Sequence, residues 1–159
     1  MASADNPPVV ALPLRLWPQA LKPRTKWFCQ TGQAAMQFVV PVVLVVVAVI
    51  HALPLAGVLG AAKLSMLYGV SLDEPAVELL LRHRAVLFGL VAALCGYAAI
   101  RPELHGVALI AGFASVVSFL LLARPVSTLT PALTMIVQVD WVALVLLLVG
   151  AVVHLQQAQ

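Results

Sequence analysis

Few side chains in this 159-residue chain can do chemistry, and those that can are set in apolar surroundings. Arg82, His83 and Asp140 lie inside long hydrophobic runs, Glu78 precedes Arg82 by one helical turn, and His51 ends an earlier run. A charge at the centre of a membrane helix costs about 2.5–3.5 kcal/mol on insertion scales, so such residues pair, turn inward or serve a function. Together, Arg82, His83, Asp140, Glu78 and His51 would make an intramembrane pocket for a polar group. The structural alternative is an Arg82–Asp140 salt bridge flanked by hydrogen-bonded histidines, fixing the register of the helices. His51 and His83, on separate helices, are also residue types that ligate haem iron or a transition metal.

Other chemistry is missing from the pattern. No Gly-rich phosphate loop, nucleophile elbow or H-E-x-x-H occurs, so the familiar catalytic constellations are absent. Cys29 and Cys95 are too far apart to form a metal-ligand pair, and neither shares a loop with the other, so both read as structural thiols. No cofactor and no metal are expected. His105 and His154 fall near helix ends and read as interfacial residues.

The elements that must position the polar residues follow from composition. The chain is 63% hydrophobic and 9% charged, with a mean hydropathy of +1.07, where a soluble domain is roughly 45–50% apolar and about 25% charged. There is too little polar surface to cover a soluble core of this size, and the lipid bilayer is the expected surrounding. Apolar runs place membrane spans at about 35–53, 76–100, 104–123 and 132–154. Helices are the expected state even for the valine-rich first run, because in lipid only a helix satisfies its backbone within the segment. The fold class is thus all-α, an integral membrane four-helix bundle formed by residues 34–159.

Residues 1–33 carry Pro7, Pro8, Pro13, Pro18 and Pro23 among polar and basic residues, which predicts an extended tail. Trp17 and Trp27 beside the basic residues suggest that it lies along the membrane surface. The order basic then apolar also occurs in secretory signals, but this polar part is far longer than a signal's first region, so it is read as retained. Between the first two spans, Lys63 to Gly69 predicts a short interfacial helix stopped by the glycine, and Ser71-Leu72-Asp73-Glu74 matches a capping box for the second span. The side of the first terminus holds Arg15, Lys22, Arg24, Lys26 and Arg101, against Lys63 and Arg124 on the other, so both termini are expected in the cytoplasm. No part of the chain offers the basic face that nucleic acid requires, and nucleic acid is not an expected partner.

Topology then places the charges. Counted from the starts of their helices, Arg82 and Asp140 lie about 14 Å along their helix axes, from the same side. Arg82 shares a face with Glu78, Ala85, Gly89, Ala92, Gly96 and Ala99, a stripe of small residues of the kind that marks close packing in lipid. Similar stripes run through Ala108, Ala111, Gly112, Ser115 and Ser118, and through Asp140, Ala143, Leu147, Gly150, Ala151 and His154. Arg82 and Asp140 are therefore expected to meet inside, on neighbouring helices. Arg84, rotated roughly 200° from Arg82, is expected to snorkel to the headgroups.

The segments Leu67-Tyr68-Gly69-Val70, Leu80-Leu81-Arg82-His83-Arg84-Ala85-Val86-Leu87-Phe88-Gly89, Ser115-Val116-Val117-Ser118-Phe119 and Val139-Asp140-Trp141-Val142-Ala143-Leu144 resemble a family of small bacterial four-helix inner-membrane proteins of unassigned function. The resemblance covers about residues 43–155 and implies the membrane topology. Some members carry the name phosphopantetheine adenylyltransferase. This chain has neither the His-x-Gly-His phosphate signature nor the βαβ pattern of that soluble enzyme, and that activity is not expected of it. Three functional classes follow: an accessory or interaction subunit that packs against other membrane proteins or a second copy; a binder, carrier or enzyme for a small amphipathic molecule, using the polar pocket at the non-cytoplasmic side; and a haem or quinone protein.

Overall fold

The computed structural model describes the backbone of residues 25–159 and the side chains of residues 36–159. By its internal contacts the chain divides into residues 1–33 and 34–159. The expected extended tail, through residue 24, falls outside the described residues. From Thr25 the backbone is helical rather than extended, because no proline lies between Pro23 and Pro41 to interrupt the hydrogen-bond ladder. The described residues are all helix and connection: α1 (Thr25–Ala52), α2 (Ala61–Tyr68), α3 (Pro75–Ala98), α4 (His105–Ala123) and α5 (Pro131–Gln157), with 3₁₀ turns at Leu53–Leu59 and Pro102–Leu104. Four segments are long and apolar enough to cross a membrane, namely Met36–Leu59, Pro75–Ala98, Pro102–Ala123 and Pro131–Gln157.

Proline and glycine set the joints. Pro41 lies well inside α1, because that helix begins ahead of the span expected from about residue 35, and the carbonyl of Gln37 loses its usual donor. Pro54 converts the end of the first segment into the 3₁₀ turn. Gly69 ends α2 in the left-handed conformation (φ +64°), where its N–H donates to the Ser65 carbonyl at 2.8 Å. The expected Ser71 capping box does not form. Pro75 holds the first helical position, and the residue before a proline is pushed into the extended region, so Glu74 (φ −108°, ψ 120°) is the boundary. The start of α5 is capped instead by Thr130, whose Oγ accepts from the Leu133 N–H at 3.2 Å and donates to the Tyr68 carbonyl at 2.8 Å. One threonine thereby ties the end of α2 to the start of α5.

The core is built where small residues let helices approach. Val40, Val43, Leu44 and Val47 of α1 pack with Cys95 and Ala98 of α3, Ala108, Leu109, Val116 and Leu120 of α4, and Ala143 and Leu147 of α5. A Cβ on Gly112 would stand 3.0 Å from Leu147, and one on Gly150 would stand 3.1 Å from Val43. The small stripes of α4 and α5 thus do what their composition implies, substituting close backbone approach for the hydrophobic drive that lipid does not supply. The α3 stripe packs too, through Gly89, where a Cβ would come within 2.8 Å of Leu55, and Gly96, which faces Ala48. Leu79, Leu80, Leu90, Ile110, Leu122 and Leu148 point outward, as suits a lipid-facing surface.

One expectation about packing fails. α3 and α5 are not neighbours: α3 contacts α4 and the 3₁₀ turn, α5 contacts α4 and α2, and no Cα of α3 lies within 8 Å of one in α5. Side chains of α1 reach all three other long helices, at Gly96, Gly112 and Gly150. The shortest helix, α2, contacts both α3 and α5, so it closes over the gap that those two leave.

Candidate functional site

In that gap lies a cavity of about 370 Å³, bounded by α1, the 3₁₀ turn after it, α2, α3 and α5. Its wall is mainly apolar, from residues such as Ile50, Met66, Phe88 and Ile136, and its polar groups are His51, Tyr68, Arg84 and Asp140. A second cavity, of about 470 Å³, lies between α3, α4 and the start of α5. Arg84 lines both cavities.

The rotation of α3 puts Arg84 there. Arg84, Phe88, Val91, Cys95 and Ala98 follow at alternating steps of four and three, which is one face of a helix. Cys95 and Ala98 at one end of this face are buried in the core, so Arg84 at the other end is carried inward. Its guanidinium carbon lies 4.9 Å from the ring centre of Phe119, 5.0 Å from that of Phe88 and 5.8 Å from that of Tyr68. Each ring face contributes about 0.5–2 kcal/mol to a cation at such range, more where water is scarce. Arg84 is therefore held by aromatic faces, not by lipid headgroups as expected.

Arg82 takes the opposite course. It lies one turn before Ala85, which packs against Gly57 of the 3₁₀ turn, and its side chain remains 48% exposed. Its Nη1 is 3.6 Å from Glu78 Oε1 on the same helix, so the expected Arg82–Asp140 pair does not form. His83 is exposed and lines neither cavity. Of the five residues expected to cluster, His51 and Asp140 come together at the cavity, while Glu78, Arg82 and His83 lie elsewhere.

His51 is buried and fully engaged. Its Nδ1 lies 2.9 Å from the Val47 carbonyl and its Nε2 lies 3.0 Å from Ser115 Oγ. A neutral ring with the proton on Nδ1 donates to the carbonyl and accepts from the serine hydroxyl. Its ring also meets Phe88 edge to face at 5.6 Å. With both nitrogens occupied, His51 is a structural residue of the cavity wall, and among the described residues no group of three metal-ligating side chains comes together.

Tyr68 and Asp140 are less settled. Tyr68 is 5% exposed, and its buried hydroxyl has no hydrogen-bond partner. Among the described residues no carboxylate oxygen lies within 4 Å of the Arg84 guanidinium, and Asp140, on the far wall, forms no salt bridge. Arg84 and Asp140 both lie nine residues past the prolines that open their helices, and both line this cavity.

At the other end of the bundle His105, expected at an interface, is buried with its ring 6.1 Å from that of His154. Its Nε2 also lacks a partner. Cys95 is buried in the core, with its thiol 3.9 Å from the Ala108 carbonyl, as a structural thiol would be.

Sequence reasoning missed Arg84, Tyr68 and Phe88. The signal for Arg84 was available in the Phe88, Val91, Cys95 and Ala98 spacing, but small residues on the Arg82 face outweighed it. Compared with known family models, curated proteins and solved structures, the chain matches none.

Proposed function

We propose that this chain is a multi-pass protein of a bacterial inner membrane, with both termini cytoplasmic, that holds a small amphipathic molecule in the cavity between Arg84 and Asp140. The observation that carries the reading is the cavity itself. At about 370 Å³ it falls in the range of small-molecule sites, roughly 300–1,000 Å³, which combine apolar walls with a few polar groups. The excess of basic residues on the side of Arg15, Lys22, Arg24, Lys26 and Arg101 supports the orientation. An accessory-subunit role draws on the outward apolar faces, but these suit lipid and a partner helix equally, so the cavity favours binding. For a haem protein, His51 would have to give up a hydrogen bond from an occupied nitrogen.

Purification in a mild detergent followed by mass spectrometry of the bound fraction tests the reading. A small amphiphile is expected with the wild-type chain and depleted in Arg84→Met. A stoichiometric protein partner with no bound small molecule would favour the accessory role, and a Soret band would favour haem. Reporter fusions at Gln159 and near Ser71 test orientation, and a periplasmic signal from Gln159 would reverse it.

A further inference from the structure

We infer that the head group taken by this cavity is zwitterionic, with an oxyanion at Arg84 and Tyr68 and an ammonium at Asp140. The inference rests on the binding reading above and names the ligand class for the same site.

The cavity presents one cation and one anion that do not bond each other. Among the described residues, Arg84 has aromatic faces around it and no carboxylate within 4 Å, and Asp140 on the opposite wall forms no salt bridge. A guanidinium has five N–H donors and ring faces use none of them. The hydroxyl of Tyr68, whose ring centre lies 5.8 Å from the Arg84 guanidinium carbon, is buried without a partner among the described residues and adds a further donor. Buried donors are nearly always satisfied, so the Tyr68 hydroxyl points to an acceptor that the described residues do not supply. An oxyanion such as a phosphate or carboxylate matches a guanidinium and a hydroxyl, and charge-assisted bonds of this kind are the strong ones.

Asp140 decides against a simple anion. A ligand carrying negative charge alone would share the cavity with a carboxylate and leave it without a counter-charge in a poorly screened space. A ligand carrying positive charge alone would meet Arg84. An ammonium and an oxyanion on one head complement both walls, and the apolar lining accepts a chain attached to it. The same head occurs on an ethanolamine phospholipid and on a soluble phosphoethanolamine.

The test uses the full-length chain in a non-ionic detergent, with binding read by native mass spectrometry. The probes are dioleoyl phosphatidylethanolamine, the anionic phosphatidylglycerol with the same chains, the uncharged dioleoylglycerol, and free phosphoethanolamine. Phosphatidylethanolamine is expected to bind at least tenfold more tightly than phosphatidylglycerol or dioleoylglycerol. Tyr68→Phe should weaken it severalfold without loss of folded protein, because that hydroxyl bonds nothing among the described residues. Asp140→Asn should narrow the gap to phosphatidylglycerol. Equal or tighter binding of phosphatidylglycerol or dioleoylglycerol would overturn the zwitterionic head and leave the amphiphile reading standing. Free phosphoethanolamine binding as tightly as the lipid would support the head and overturn the amphiphile. Retention of none of the four probes would overturn both.

Discussion

The two halves of the bundle solve the same packing problem in opposite ways. Around Gly112, Gly150 and Leu147, helices α1, α4 and α5 approach until an added methyl group would stand only 3.0–3.1 Å from the Leu147 and Val43 side chains. Around Arg84, the residues between helices are Tyr68, Phe88, Phe119 and the arginine itself, and there α3 and α5 stand apart across a cavity. Small residues allow close contact; rings and a guanidinium prop helices open. The tight half supplies the rigidity, and the open half keeps its polar groups at fixed positions because His51 and Thr130 anchor its walls to neighbouring elements.

The sharpest way to break this contrast is to fill the tight half. Gly112→Leu adds a side chain where the Leu147 methyl leaves 3.0 Å, and overpacking of that kind should destabilise the bundle by about 3 kcal/mol in detergent unfolding. The same change at the outward-facing Ala114 should be nearly silent; equal losses at both positions would refute the close approach. Next comes His51→Leu, which strands the Ser115 hydroxyl and removes the bond to the Val47 carbonyl. A loss of about 2 kcal/mol is expected, with Ser115→Ala recovering part of it in the double variant.

In the open half, Tyr68→Phe should raise ligand-free stability by about 1 kcal/mol, since it removes a buried hydroxyl that has no partner. A clear loss would mean that the hydroxyl is bonded within the protein. Smallest of all, Arg82→Ala should change stability by less than about 0.5 kcal/mol, because it breaks a half-exposed pair within one helix. A loss of several kcal/mol from that variant would restore Arg82 to the interior and displace Arg84 from the site.

The sequence by itself determined the helices and their joints. Long apolar runs must be helical in lipid, and Pro75, Pro131 and Gly69 act on their own backbone dihedrals, so these boundaries needed no knowledge of neighbours. The capping box at Ser71 failed for an equally local reason, the proline that follows Glu74. The place of Asp140 along its helix was legible as well, since rise per residue converts sequence position into distance from the helix start. Only the tertiary structure decided which arginine shares its cavity inside the bundle. α3 carries buried residues on two faces, the small stripe against the 3₁₀ turn and the Cys95–Ala98 face against the core. A helix apolar nearly all round does not specify its own rotation, because every orientation buries similar surface against lipid or protein. Neighbouring helices settled it, and in doing so turned Arg82 outward and enclosed Arg84 among rings.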